Sequence, residues 1–445
     1  MYWNKEFETM PWQEVQNYCL SKFPAFLEYL KNNSQFYKDR LSSIKSEDIK
    51  TLDDLKSIPF LTKNDLRDAQ ADTDRKNPLG KIQVVDTEDI VQVISSSGTS
   101  GRPVYYGATK KDLGIWNDAI ANVYYTAGVR KGDIVAHTTG IPLFAGGSSY
   151  FEGIRNIEAM TVWPGNLSTS RMLETIRNLH CNVIQATVSF NLYLAERCQD
   201  ALGVDPRDLG ITNIIGGGEP GLGEEAIRQK LKDAWNAKTV REIMGLADVM
   251  PAMWGECEEE TGMHFNAQKY VMIELIDPET EEHLPWEAGV VGEVVYTNFS
   301  RGATPILRYR SADLVRLEGM SCPCGRTSPK IRCIGRADDL IIFKAMNVYP
   351  SAIRDVVLTH YKEHLTGQMQ VVKDSPEQVR FDTAIPVDIE TTLPEEKQAD
   401  LKQKIESIVR DTLNIRVEAN LVPPETIQRT QYKSPLIRIR EKDEQ

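Results

Sequence analysis

From about residue 88 to residue 300 the chain alternates short β-rich runs with segments of helical length. This alternation limits the possible folds more than any other feature of the sequence. The β-rich runs are residues 90–95, 134–137, 159–163, 183–187, 211–215, 240–243, 271–276 and 292–298. Strands separated by helices predict an α/β fold in which a mostly parallel sheet carries helices on its faces. Residues 11–68 read differently. Phe23, Phe26, Leu27 and Leu30 recur at helical spacing, and Thr62 follows a proline-broken turn in the place of a helix cap, so a helical entry segment is expected.

After Arg316 the pattern changes again, to a Cys-Pro-Cys-Gly turn and then a compact β-rich and helical region. The turn Gly335-Arg336-Ala337-Asp338-Asp339 lies between that loop and a fresh apolar run, Leu340 to Phe343. It marks the expected boundary between a large N-terminal domain of mixed and parallel sheets, residues 1–335, and a small α+β C-terminal domain, residues 336–445. The length of 445 residues and the hydrophobic content of 41% are sufficient for both cores.

Charge and cysteine usage narrow the function. Lys and Arg total 52 against 64 Asp and Glu, a net charge of −12, which opposes adhesion to nucleic acid or to an anionic membrane. Any phosphate ligand has to be gripped by local contacts. Residues 1–10 lack a basic segment followed by an apolar one, and no run of eighteen apolar residues occurs, so a soluble cytoplasmic chain is expected. Seven scattered cysteines, an odd number, fit reduced thiols with a metal site better than a disulfide framework.

Three stretches carry chemistry. Ser95 to Pro103, Ser-Ser-Ser-Gly-Thr-Ser-Gly-Arg-Pro, follows a strand with small residues whose backbone N–H groups can converge on an anion, hydroxyls that donate further, and the charge of Arg102. It is not a Walker A loop, because no Gly-Lys-Ser/Thr follows; read alone, it is equally a Ser/Gly surface turn. Glu242 to Asp248 ends a strand in a Gly turn with a carboxylate beyond it, a place for a divalent cation or a nucleotide as well as for a solvated cap. Pro305 to Asp313 sets an acid after an alternating basic strand, where it can accept from both hydroxyls of a ribose; read alone, it is as readily a surface strand ending in a turn.

Taken in order, these stretches resemble the adenylate-forming superfamily of acyl-CoA synthetases, nonribosomal-peptide adenylation domains and firefly luciferase, and most of all the phenylacetate-CoA ligase family. The resemblance also rests on Leu61 to Arg67, Leu143 to Gly147, Gly216 to Pro220, Gly292 to Asp313, Gly335 to Pro350 and Arg429 to Lys433, so it runs nearly end to end. It implies that Ser96, Ser97, Gly98, Thr99, Ser100, Gly101 and Arg102 form the phosphate loop, with Arg102 where Lys is usual. By the same resemblance Gly217, Gly218, Glu219 and Pro220 flank the adenine and the acyl group. Met244, followed by Gly245, holds the place of an aromatic that stacks near the adenine. Asp248 replaces the Glu that contacts magnesium and the nucleotide phosphate. Asp313 binds the ribose, Arg336 reaches its ribose or phosphate side, Asp338 is the hinge of a mobile C-terminal domain, and Lys433 is that domain's catalytic lysine. A mobile ammonium suits the chemistry, since attack of a carboxylate on the α-phosphorus brings two anions together.

Cys257, His264, Cys322 and Cys324 make a second constellation. Their spacing is compatible with a Cys₃His zinc set or with buried free thiols, the Cys-x-Cys pair being tighter than the common spacing. The family resemblance favours structural zinc. The implied activity is ATP- and magnesium-dependent activation of an aromatic or arylacetic acid followed by transfer to coenzyme A. The implied partners are small molecules, with neither nucleic acid nor membrane, and the family resemblance allows a homodimer. Ala345, where the family has a glycine beside the pantetheine arm, keeps a second reading open, in which the acceptor is an amine, a hydroxyl or a carrier-protein thiol. A third reading, a nucleotide-binding regulator without turnover, is disfavoured by Asp313, Asp338 and Lys433. His137, at a strand end, fits the acyl pocket or the core.

Overall fold

The computed structural model describes residues 1–96, 103–140, 143, 145–218, 221–336, 339–344, 346–375, 378–428 and 435–440. The chain forms two compact units, residues 1–166 with 242–332 and residues 167–241 with 333–445. Among the described residues no helix is long and apolar enough to cross a membrane.

The first unit opens with the expected helical segment. Helices Trp12–Leu20, Phe23–Asn33 and Gln35–Arg40 pack through Phe23, Phe26, Leu27 and Leu30, all buried. Spacing at i, i+3, i+4 and i+7 puts these four on one face, which packs into a core shared with Met272 and Leu307 of distant strands. Thr62 caps the helix Lys63–Ala69 in a capping box with Asp65. Thr109 and Asp112 cap Lys110–Thr126 in the same way, and the Asp112 carboxylate also accepts from the backbone of Gly302, at 2.6 Å, and Ala303.

The sheet of this unit departs from the alternation seen in the sequence. Ile134–His137 and Met160–Val162 pair in parallel, as expected. Residues 242–332, however, form antiparallel pairings among Thr239–Leu246, Met250–Glu256, Met263–Phe265 and Lys330–Arg336, and among Val271–Ile276, Val291–Asn298 and Ile306–Gly319. The physical reason lies in the connections: no helix separates these strands, and the short links between most of them permit hairpins but not parallel crossovers, while Lys330–Arg336 returns beside Met263–Phe265 only after the other three strands.

One buried ion pair ties the entry helices to this sheet. Arg308, at a left-handed φ of 45°, pairs with Glu274 at 2.8 Å, each side chain only 2% exposed. Its remaining N–H groups donate to the carbonyls of Leu55 and Ile58 at 2.7 and 2.6 Å. Leu61 then bridges the same strand, its N–H donating to Arg308 and its carbonyl accepting from Arg310, both at 2.9 Å. That bridge fixes where residues 62 and 63 begin.

The second unit contains the parallel pair Val183–Ala186 and Asn213–Gly216 and the helices Thr169–Asn178, Val188–Leu202 and Glu225–Trp235. It also holds a four-stranded mixed sheet ordered Val417–Val422, Ile385–Thr391, Leu365–Lys373, Ile437–Ile439, and the helices Pro350–Tyr361 and Glu395–Leu413. Residues 346–440 are thus α+β. The unit border at 332/333 lies close to the expected break, and residues 167–241 group with the C-terminal part.

Replacing Arg308 by Met leaves His283, 2.8 Å away, as the partner of the buried Glu274 carboxylate and frees two carbonyls. Urea unfolding is expected to show a loss of about 3–5 kcal/mol.

Candidate active site

Four segments far apart in sequence meet at one carboxylate oxygen. Asp248, just beyond the strand Thr239–Leu246, accepts through Oδ1 from the Lys63 ammonium, from the Tyr106 hydroxyl and, at 3.0 Å, from the Tyr309 hydroxyl. Lys63 opens its helix directly after the Leu61 bridge, and Tyr309 lies on the strand that bridge contacts, so one backbone pairing delivers both donors. Tyr106 comes from the strand Tyr105–Thr109. Burial pushes the Asp248 carboxyl up, but the Lys63 charge and the three hydrogen bonds outweigh it and hold the group below the ordinary carboxylate range. Burial, reinforced by the Asp248 charge, drives the Tyr106 phenol well above its ordinary value, so it stays a donor.

The backbone at Asp248 is held as firmly as its side chain. Arg301 donates to the carbonyl of Asp248 at 2.9 Å and lies over the rings of Tyr106, at 4.8 Å, and Trp116, at 5.2 Å. Burial lowers its pKa to about 10, which leaves the guanidinium charged at neutral pH. The approach to Asp248 depends on Gly245. Pairing with Met250–Glu256 is irregular between Met244 and Leu246, and a Cβ at Gly245 would stand 1.8 Å from the carbonyl oxygen of Pro251. Met244 is half-buried opposite Trp254.

Ser96 closes a hairpin. Ile90–Ser95 pairs antiparallel with Tyr105–Thr109, Ser96 N–H donates to Val104 at 3.0 Å, and Val104 N–H donates to the Ser96 hydroxyl at 3.3 Å. The Ser96 side chain is therefore engaged in the stem, and the same hairpin supplies Tyr106 to Asp248. Ser97, Gly98, Thr99, Ser100, Gly101 and Arg102 lie outside the described residues. Asp313 is buried on the strand of Tyr309, its N–H donating to the Ser311 hydroxyl at 3.1 Å after Ala312, whose φ is 59°. Thus Asp248, Asp313, Met244, Gly245 and the Ser96 stem all belong to the first unit.

Gly217 and Gly218 follow the strand Asn213–Gly216 in the second unit, and Gly218 takes a φ of 87°, open to glycine without strain. Arg336 ends the strand Lys330–Arg336. Glu219, Pro220, Asp338 and Lys433 fall outside the described residues. His137 is fully buried, with Nε2 3.0 Å from the Gly147 carbonyl and the rings of Tyr150 and Trp163 beside it. That is a packed core position.

The sulfur and imidazole ligands converge. Cys257 follows the strand Met250–Glu256, and His264, on Met263–Phe265, pairs with Gly255 across a hairpin. Cys322 and Cys324 sit in a turn closed by Gly325 N–H to the Cys322 carbonyl at 2.9 Å. The four ligand atoms lie within 4.8 Å of one another, with Cys257 Sγ to Cys322 Sγ at 3.7 Å and Cys324 Sγ to His264 Nε2 at 3.4 Å. A tetrahedral ion with S and N bonds of about 2.3 and 2.05 Å requires edges of about 3.8 and 3.5 Å. The donor set fits zinc. Its hydrogen bond with Cys257, and a further one with His264, hold the Cys324 thiol far below the ordinary thiol range despite burial.

Residues 345–440 match the family model of the AMP-binding enzyme C-terminal domain. The phenylacetate-coenzyme A ligase of Thermus thermophilus is 30% identical over 446 residues, which span 95% of this chain and 96% of that protein. The chain belongs to the phenylacetate-CoA ligase family. The Pseudomonas putida enzyme of this family is 32% identical over 355 residues, 79% of this chain and 77% of that protein. A crystal structure of 2-hydroxyisobutyryl-CoA ligase in the postadenylation state shares the adenylate-forming fold, with a TM-score of 0.89, 24% identity, and coverage of 99% of this chain and 93% of that one.

Lys63, Tyr106, Tyr309 and Arg301 were given no role by sequence reasoning in this family member. Lys63 and Asp248 are 185 positions apart, and no periodicity within one sequence reports such a pairing. Gly245→Ala is expected to cost about 1–3 kcal/mol in urea unfolding, because the added methyl meets backbone and not a movable side chain.

Proposed function

We propose that the chain activates an aromatic or arylacetic carboxylic acid with ATP and passes the acyl group to coenzyme A. A carboxylate oxygen attacks the α-phosphorus, the bond to the bridging oxygen breaks, and pyrophosphate leaves. The CoA thiol then attacks the acyl carbonyl, the carbon–oxygen bond to AMP breaks, and the thiol proton passes to solvent. The near-full-length match to a phenylacetate-CoA ligase carries this reading, and the choice of acid class rests on the same curated relatives. The need for ATP and CoA suits a cytoplasmic enzyme, and a homodimer remains the family-based assembly for it.

In this reading residues 96–102 gather the phosphates, Asp313 and Arg336 hold the ribose side, and residues 217–220 with Met244 and Gly245 bound the adenine and acyl group. Lys433 offsets the charge that builds on the transferring oxygens, and residues 336–445 turn about Asp338 between the two half-reactions. Asp248 suits magnesium: Oδ1 is fully engaged, whereas Oδ2 has no hydrogen bond among the described residues. Magnesium bound there supplies positive charge to the leaving pyrophosphate. Cys257, His264, Cys322 and Cys324 would hold a zinc ion with four protein ligands, and the ion would clamp two loops together, a structural and not a catalytic part.

A second reading, an amine, hydroxyl or carrier-protein thiol as acceptor, draws on Ala345 within Lys344-Ala345-Met346-Asn347. The methyl group narrows the space a glycine leaves for pantetheine. Product mass with and without CoA separates the two: thioester supports the first, and adenylate that persists beside CoA supports the second.

Lys433→Ala is expected to lower acid-dependent ATP–pyrophosphate exchange about 100-fold or more while leaving ATP affinity in place. Near-normal exchange removes the lysine from the mechanism. Purified protein is expected to carry one zinc per chain, and Cys322→Ser to lose it together with thermal stability. Protein purified without zinc rules out the clamp.

A further inference from the structure

Lys63 stands apart from the roles assigned above, yet it makes an ion pair with Asp248, the first unit's carboxylate placed to meet the nucleotide. The pair is sheltered, with Lys63 24% and Asp248 10% exposed at the side chain. The ammonium also lies 3.5 Å from the Tyr106 hydroxyl and 5.7 Å from the centre of its ring. Helix Lys63–Ala69 is anchored by its Thr62–Asp65 capping box and by the Leu61 bridge, so the lysine starts from a fixed base.

The geometry at Asp248 is one-sided. Lys63, Tyr106 and Tyr309 all donate to Oδ1. The two oxygens of a carboxylate are rigidly linked, so fixing one in a three-donor cage also fixes the direction of the other. Asp is one methylene shorter than the Glu common in the family, so it has less freedom to reach a ligand by changing rotamer. Its aim has to come from its neighbours. Among the described residues, the charges and hydroxyls that face it are Lys63 from the helix, Tyr106 from the hairpin, Tyr309 from the long strand, and Arg301, which holds its carbonyl.

We infer that Lys63 is a positioning residue for Asp248: it holds Oδ1 so that Oδ2 faces the magnesium–nucleotide complex. This rests on the proposed role of Asp248 and adds the device that makes a shortened acid serviceable. The ammonium acts through the carboxylate and not on the triphosphate itself.

Calorimetric titration with MgATP in the absence of acid tests this without turnover. Lys63→Met is expected to weaken MgATP binding about tenfold, and Lys63→Arg to recover most of the loss. In an Asp248→Asn background, Lys63→Met is expected to change the affinity by less than about twofold, because the group it acts through is already disabled. Tyr309→Phe, which removes one donor and keeps the ring, is expected to weaken binding about threefold even if the lysine variant does not fold. Equal loss from Lys63→Met in both backgrounds overturns the inference and makes Lys63 a direct phosphate contact. Unchanged binding in Lys63→Met overturns it as well. Unchanged binding in Asp248→Asn alone refutes the nucleotide role of Asp248 and this inference with it, so the two failures are distinct.

Discussion

A single carboxylate oxygen, Oδ1 of Asp248, organises the first unit. A buried carboxylate has to be compensated by charge or by hydrogen bonds, and here it receives both from three segments that otherwise belong to different parts of the chain. A capped helix carries Lys63, a hairpin Tyr106 and a bulged strand Tyr309, and the Leu61 bridge couples the first to the third. The entry helices, the hairpin that leads into residues 97–102, and the strand of Asp313 are therefore registered against the same atom. Preorganisation of this kind lets a site stabilise developing charge without rearranging at the moment of reaction.

Backbone irregularity serves the same end. Ile306–Gly319 shifts register twice against Val291–Asn298, and Arg308 and Ala312 take left-handed φ values of 45° and 59°. Bulges turn a strand and re-aim its side chains. In this strand they allow Arg308 to bury its charge against Glu274 while Tyr309 reaches Asp248. The bulge at Gly245 does comparable work on the opposite side of Asp248. A regular strand at either place would not bring these groups to one point.

How much of this was legible in the sequence depends on the range of the interaction. The helix through Phe23, Phe26, Leu27 and Leu30, the Thr62 cap, and the strands at residues 90–95, 134–137 and 271–276 follow from local periodicity and capping chemistry, and the structure forms them as read. The antiparallel character of residues 242–332 was not legible, because periodicity marks a strand without giving its direction. The convergence of Cys257, His264, Cys322 and Cys324 was implied by the family resemblance, whereas their spacing alone left buried free thiols open. The Asp248 cage could not be anticipated: tyrosine on a strand is ordinary, and only the fold shows that Tyr106 and Tyr309 point at the same oxygen. The place of Ser96 at the top of the hairpin stem, its hydroxyl accepting from the Val104 N–H, is likewise a pairing that no local pattern announces.

The most direct test of this account is a crystal structure with magnesium and a non-hydrolysable ATP analogue. The account predicts Lys63, Tyr106 and Tyr309 still on Oδ1, with the ion facing Oδ2. Lys63 turned away from Asp248 onto the phosphates, or the ion held elsewhere with Asp248 uninvolved, would contradict it.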